Sequence, residues 1–245
     1  MNFYAVIIGT EILNGRRQDR HFEFLKEALS KYGHTLFASF IIKDDPVLIT
    51  SVFKMIKADE NSVMFSFGGI GSTPDDLTRE LASQVFTCKP AVLHKEFEKD
   101  IIERFADEAY PHRIHMAEIP EDSKLLKNPI NNMSGFYLQN RFFFVPGFPE
   151  MAHTMVEEAL ETFYAHSTDT YRKTLIAQTS ENTLIDAMKD VPNSVELSSL
   201  PMLRNNIPSV ELSLISDNIN EVIYYFEQFI DILVSKNIHY EIKGK

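Results

Sequence analysis

FSFGGIGSTPDDLTRE, residues 65–80, holds three of the nine glycines of a 245-residue chain. Average usage is roughly 7%, so a glycine-poor protein has concentrated Gly68, Gly69 and Gly71 in one turn. In front of them SVMFSF, residues 62–67, is an apolar run of the length of a buried strand. Behind them stand Ser72, Thr73, Pro74, Asp75 and Asp76. Glycines let the backbone approach a ligand without Cβ interference, and consecutive N–H groups form an anion nest. A capped helix start, with Thr73 as N-cap and Pro74 in the first turn, accounts for TPDD but not for three glycines where one makes the turn. The loop is neither GxxxxGK[ST] nor GxGxxG. A carboxylate beside a phosphate is tolerable when a divalent cation lies between them, and Asp76 is the candidate ligand, with Asp75 facing solvent.

Working outward, FYAVII (3–8) and TLFASFII (35–42) read as two further strands. A helical pattern opened by Asp19, with Phe22, Leu25 and Leu29 on one face, ends at Gly33 where a C′ glycine belongs. Pro46 starts a helix running to about Ala58, with Asp44 as its N-cap, and another helix starts near Pro74 and continues through LASQVF. Alternating strands and helices indicate an α/β fold with a doubly wound, mostly parallel sheet, whose ligands bind beyond the carboxyl ends of the strands. GTEILNG after strand one and GGIGSTPDD after strand three both lie at that edge, so Glu11, Asp44 and Asp76 follow three successive strands.

Farther on come a helix from Phe97 to about Ala109, a proline-punctuated stretch, and GFYLQ and RFFFVP as a hairpin around Asn140. The triple phenylalanine 142–144 reads as a core strand. A helix from Glu150 to about Ala165 carries Met151, Met155 and Ala159 on one face. HSTDT (166–170) is a polar linker, dividing a first domain, 1–167, from a small α+β domain, 168–245, with strands RKTLIAQ, SVELSSL and SVELSLIS.

The net charge of −11 argues against broad nucleic-acid binding. After Gly147 only Gly244 remains, so the tail has no GxxG loop for RNA. The single cysteine, Cys88, excludes an internal disulfide and a multi-Cys zinc site. His112 and His115 are separated from a helical context by Pro111 and Pro120 and make a poor metal pair; His94 reads as a neighbour of a helix cap. Without a basic leader or an apolar run of roughly 20 residues, the expectation is a cytoplasmic protein with no membrane partner.

GTEIL with Gly15, the aspartate of IIKDDP, GGIGSTPDDLT, NPI with Gly135, and PGFPEM together resemble the molybdopterin-binding (MoCF-type) fold. The resemblance is to the amino-terminal part of the CinA (competence/damage-inducible protein A) family, whose segments read GTELLLG, GGLGPTxDDLT, NPxGxAPGF and PGxPxEM. It runs from about Phe3 to Ala165. The tail from Tyr171 is similar to that family's small KH-like domain, nothing corresponds to its nicotinamide-nucleotide amidase domain, and amidase activity is expected to be absent. The resemblance implies a metal-dependent pyrophosphatase acting on ADP-ribose or a similar nucleotide, using Mg, Mn, Co or Ni. That is the preferred reading; the alternative is a non-catalytic molybdopterin or nucleotide carrier, and a structural remnant is a third. Carried over, Asp76 and Asp44 are catalytic, and Asp76 with Glu11 holds the metal. Gly9, Thr10, Gly68, Gly69, Gly71, Ser72, Thr73, Asn128, Pro129, Pro146 and Gly147 contact a small phosphorylated nucleotide or pterin. A homo-oligomer, dimer or trimer, is also implied. The chain departs from the pattern at His21 (usually asparagine), at Ser72 (proline in CinA) and in NPINNMSGF, changes that bear on which ligand fits.

Overall fold

Strand β1 (Asn2–Ile8) is buried along its length from Phe3, as an unbroken apolar run requires when both faces are covered. It is followed by the single turn α1 (Thr10–Leu13), α2 (His21–Lys31), β2 (Leu36–Ile42), α3 (Pro46–Ala58), β3 (Ser62–Phe67) and α4 (Thr78–Ala82). Next come β4 (Val92–Leu93), α5 (Lys95–Phe105), β5 (Glu118–Ile119), β6 (Lys124–Leu126), β7 (Gly135–Leu138), β8 (Phe142–Val145) and α6 (Pro149–Tyr164). The computed structural model describes residues 1–165 and 170–243, so all of the expected linker but Thr170, and Gly244 as well, lie outside the described residues. The chain divides into two compact units, Met1–Ser167 and Thr168–Lys245.

In the first unit the sheet order is β2-β1-β3-β8-β7-β6. Strands β2, β1, β3 and β8 run parallel, and β7 runs antiparallel to both of its neighbours, so the sheet is mixed and mostly parallel. The β7–β8 hairpin turns through Gln139 and Asn140, both at positive φ, which suits the right-handed twist of the strands. Helices α2 and α6 cover one face, packing Leu25, Leu29, Met155 and Leu160 over Ala5, Phe65 and Phe143. Helices α3 and α4 cover the other, packing Phe53, Ile56 and Leu81 over Val6, Met64 and Phe144. The triple phenylalanine is the core strand expected, and burying each ring is worth about 1.5–3 kcal/mol. Residues 92–119 form an excursion with its own small core of Phe97, Ile101, Ala109 and Ala117. Lys127 joins α5 to the strand end by bridging Glu96 and Asp100 at 2.7 and 2.9 Å.

Several local expectations need correction. Asp45, not Asp44, caps α3, its side chain accepting from the Leu48 N–H. Helix α4 begins at Thr78 rather than near Pro74, because Thr73–Asp76 closes a separate turn in which the Asp76 N–H bonds the Thr73 carbonyl. The helix then widens into π turns over Ser83–Thr87. Phe22 is 40% exposed, since the buried face of α2 is His21, Leu25, Ala28 and Leu29. Helix α5 opens at Lys95 with the His94 ring accepting from the Phe97 N–H, and ends at Phe105, where positive φ at Ala106 turns the chain into 3-10 geometry.

The second unit contains β9 (Tyr171–Ala177), α7 (Ile185–Lys189), β10 (Glu196–Arg204), β11 (Ile207–Ser216), α8 (Ile219–Ser235) and β12 (Tyr240–Lys243). Its strands pair antiparallel in the order β10-β11-β9-β12. Leu175, Leu212 and Leu214 meet Phe226, Phe229 and Leu233 of α8 in a separate core. Among the described residues no helix is long and apolar enough to cross a membrane.

Candidate functional site

The parallel strands β1, β2, β3 and β8 deliver four loops to one edge of the sheet, and the loops surround a cavity of about 500 Å³. Its wall includes Glu11, Asp44, Gly68, Gly69, Gly71, Ser72, Thr73, Asp75, Asp76, Pro146 and Gly147. The rest of the wall comes from the excursion (Phe97, Phe105, Arg113 and Met116), from the loop between β6 and β7 (Asn131, Met133 and Ser134), and from the start of α6 (Phe148 and Met151). Met151, grouped by sequence on one helix face with Met155 and Ala159, lies on this wall, while those two enter the core.

The glycines have packing reasons of their own, which corrects the expectation that the turn itself does not account for three of them. Gly68 sits at φ +97°, and a Cβ there would lie 2.4 Å from the Ile8 carbonyl oxygen. Gly69, at φ +68°, would place a Cβ 2.3 Å from Thr78 Oγ1. That hydroxyl bonds the Gly68 carbonyl at 3.0 Å, locking the turn to the start of α4. The turn nonetheless leaves donors unused: none of the backbone N–H groups of residues 69–72 has a hydrogen-bond partner among the described residues. Four consecutive free N–H groups beside a cavity are the makings of an anion nest.

Two aspartates are held in the same way. Asp44 Oδ2 accepts from both the N–H and the hydroxyl of Thr10, each at 2.8 Å. Asp76 Oδ2 accepts from the N–H and the hydroxyl of Thr73 at 2.8 and 2.6 Å. Freed from capping α3, Asp44 turns back to the β1 loop. Both Oδ1 atoms are without a protein donor among the described residues. Glu11 stands 3.8 Å from Arg17, whose guanidinium also lies over the Phe148 ring. No group of three or more His, Cys, Asp or Glu side chains poised to hold a metal occurs among the described residues. Two carboxylates with one open oxygen each suit a hard cation that takes its remaining ligands from phosphate oxygens and water, rather than a resident cage.

Behind the nest is a cation that local sequence patterns did not single out. Arg79, 9% exposed, donates to the Gly71 carbonyl. Burial pushes its guanidinium below the ordinary value, opposed by Asp76 and then Glu118. A side chain of this kind stays charged and adds positive potential under the loop.

Gly9 and Thr10 lie behind the cavity wall rather than in it, Thr10 acting through Asp44. Asn128 and Pro129 are also absent from this wall. Asn128, 2% exposed, instead ties its own loop together, donating to Asn131 Oδ1 and accepting from the Ile130 N–H. Arg17, Arg113, the aromatic rings and the methionines were not expected, because they come from segments whose approach is purely tertiary.

His21, one of the departures, is buried and stacked on Phe67 with ring centroids 4.4 Å apart. Burial lowers its pKa, against opposing pulls from Asp19 and the Gly147 backbone. His153, edge-on to His21 and stacked 3.6 Å from Phe24, is pushed down to about 4 by burial, then by His21 and Arg20. The unfolded chain takes up a proton on His153 near the ordinary 6.5, whereas the folded one resists until about 4. Between those values the unfolded state binds more protons, so stability falls as pH falls. The melting temperature is expected to drop from pH 7 to pH 4.5, and His153→Phe, which keeps the stack on Phe24, should flatten that dependence. An unchanged slope in the variant would place the acid sensitivity elsewhere.

A mixed sheet wound with helices on both faces, carrying a glycine turn and acids at its strand ends, defines an α/β ligand-binding domain. The chain belongs to the molybdopterin-binding (MoCF) domain family, matching "Probable molybdopterin binding domain" over residues 4–166, with CinA-like relatives. A CinA-like protein of Acaryochloris marina is 31% identical over 161 residues, covering 63% of this chain and 38% of that protein. One from Syntrophotalea carbinolica is 30% identical over 174 residues, covering 68% and 42%. The chain thus spans about two fifths of the length of these relatives. The crystal structure of a CinA protein of unknown function from Thermoplasma acidophilum is similar at 24% identity and a TM-score of 0.59, covering 66% of this chain and 98% of that one. At that identity the likeness establishes the fold.

Proposed function

We propose that this cavity binds a phosphorylated nucleotide, ADP-ribose or one like it, and hydrolyses its pyrophosphate with the help of a divalent cation. The observation that carries the reading is the run of residues 69–72, whose N–H groups have no partner among the described residues and which line a cavity that Asp44 and Asp76 also line. The nest would hold one phosphate, with Arg79 supplying positive potential from behind. Asp44 and Asp76, oriented by Thr10 and Thr73, would hold Mg, Mn, Co or Ni against it, with Glu11 at the rim. Such an ion polarises a phosphoryl oxygen and lowers the pKa of an attacking water. No histidine lines the cavity among the described residues, so proton removal falls to carboxylate and solvent.

A second reading is a non-catalytic molybdopterin or nucleotide carrier, favoured by the lack of a three-ligand metal cluster among the described residues. Both readings suit a cytoplasmic protein with small-molecule rather than nucleic-acid or membrane partners. A homo-oligomer belongs to either. The edge strand β2, with Phe37 62% exposed, is the surface it would use, and light scattering measures the mass. To separate the readings, the protein is incubated with ADP-ribose and each of the four ions, with EDTA as control, and AMP is quantified. AMP formed only with metal supports turnover. Tight binding of nucleotide or pterin without AMP under any ion supports the carrier.

A further inference from the structure

Asn131 lies on the cavity wall with its amide set by its neighbours. Its Oδ1 accepts from Asn128 Nδ2 at 2.6 Å and from the Met133 N–H at 2.9 Å. Flipping the amide would oppose Nδ2 to both donors, so the orientation is decided by the network. Nδ2 is then left facing Met151 Sδ at 3.0 Å, a thioether and a weak acceptor. Ser134, on the same wall, has a buried hydroxyl with no partner among the described residues. Phe97, Phe105, Met116 and Met133 make the surroundings apolar, and the Arg113 guanidinium lies 4.5 Å over the Phe105 ring. A fixed N–H donor without a good acceptor, in an apolar and aromatic end, is what orients a planar ring.

We propose that Asn131 Nδ2 is a specificity-determining donor that hydrogen-bonds an acceptor on the edge of a planar N-heteroaromatic ring seated among these Phe and Met side chains. This rests on the reading of the glycine turn as the phosphate end of the same cavity. Asn131 and Ser134 both fall in NPINNMSGF, where the chain departs from its family's pattern.

The test uses the full chain with Mg²⁺ and calorimetric titration of AMP, neopterin monophosphate and ring-free ribose 5-phosphate. Asn131→Asp keeps the acceptor used by Asn128 and Met133 and replaces the donor by an acceptor. The readout is the affinity ratio of each ring-bearing probe to ribose 5-phosphate, which cancels any effect of the added charge on phosphate. Wild type is expected to favour one ring-bearing probe, identifying the ring as purine or pterin, and the variant to lose about tenfold or more of that ratio. An unchanged ratio in the variant, with wild-type preference intact, overturns the role of Asn131 alone. A wild type that binds all three probes equally overturns the ring site. One that binds none of them overturns the phosphate reading and this assignment together.

Discussion

Asp76→Asn is expected to cut AMP release from ADP-ribose by at least about 100-fold while leaving the melting temperature close to that of wild type. The size follows from removing a charge aimed at the proposed metal–phosphate centre. The small effect on stability follows from geometry: an asparagine carbonyl can still accept the N–H and hydroxyl of Thr73, as Asp76 Oδ2 does at 2.8 and 2.6 Å. Asp76→Ala differs. In the structure it strips the acceptor from Thr73 and the stronger of two counter-charges from buried Arg79, leaving Glu118. A loss of about 1–2 kcal/mol is the expected cost. The pair therefore separates chemistry from architecture. Wild-type AMP release by Asp76→Asn would show that the carboxylate serves the turn alone.

Gly68→Ala is expected to be among the most destabilising single changes in the first unit, by about 3 kcal/mol or more. Its Cβ would meet the Ile8 carbonyl oxygen at 2.4 Å, and neither side can yield. Ile8 is in register at the end of β1, while the Gly68 N–H bonds the Val145 carbonyl at 3.0 Å. Relief of the clash must therefore part β1 from β3 at the cavity floor. Gly15→Ala is the control: its φ is +77°, but a Cβ there meets nothing within 4 Å, so only backbone strain of about 1 kcal/mol is felt. At roughly 2–4 °C per kcal/mol for a unit of this size, the two melting temperatures should differ by several degrees. Equal losses would mean that the positive φ, not the close approach, dominates at Gly68.

Strands at 3–8, 62–67 and 142–145 were legible because burial on both faces leaves an unbroken apolar run, a signal that needs no partner to be read. The helix starts were less so. Asp44 and Asp45 are adjacent acids ahead of Pro46, and either could cap α3 by composition. What separates them is a pair of hydrogen bonds from Thr10, 34 residues away. The glycine turn was located correctly and explained incompletely, since the obstacles a Cβ would meet belong to Ile8, Thr78 and Asp76.

By itself, then, the order of apolar runs, turns and acids determined a doubly wound sheet, the edge at which its loops gather, and the acids found there. Those properties follow from periodicity and chain direction, which are local. Only the tertiary structure decided which acid points into the cavity, that Asn128 braces a loop while Asn131 offers a donor, and that Arg79 lies beneath the nest. Each depends on which hydrogen-bond partner the folded backbone brings within reach: Thr10 for Asp44, Asn131 for Asn128, and the Gly71 carbonyl for Arg79.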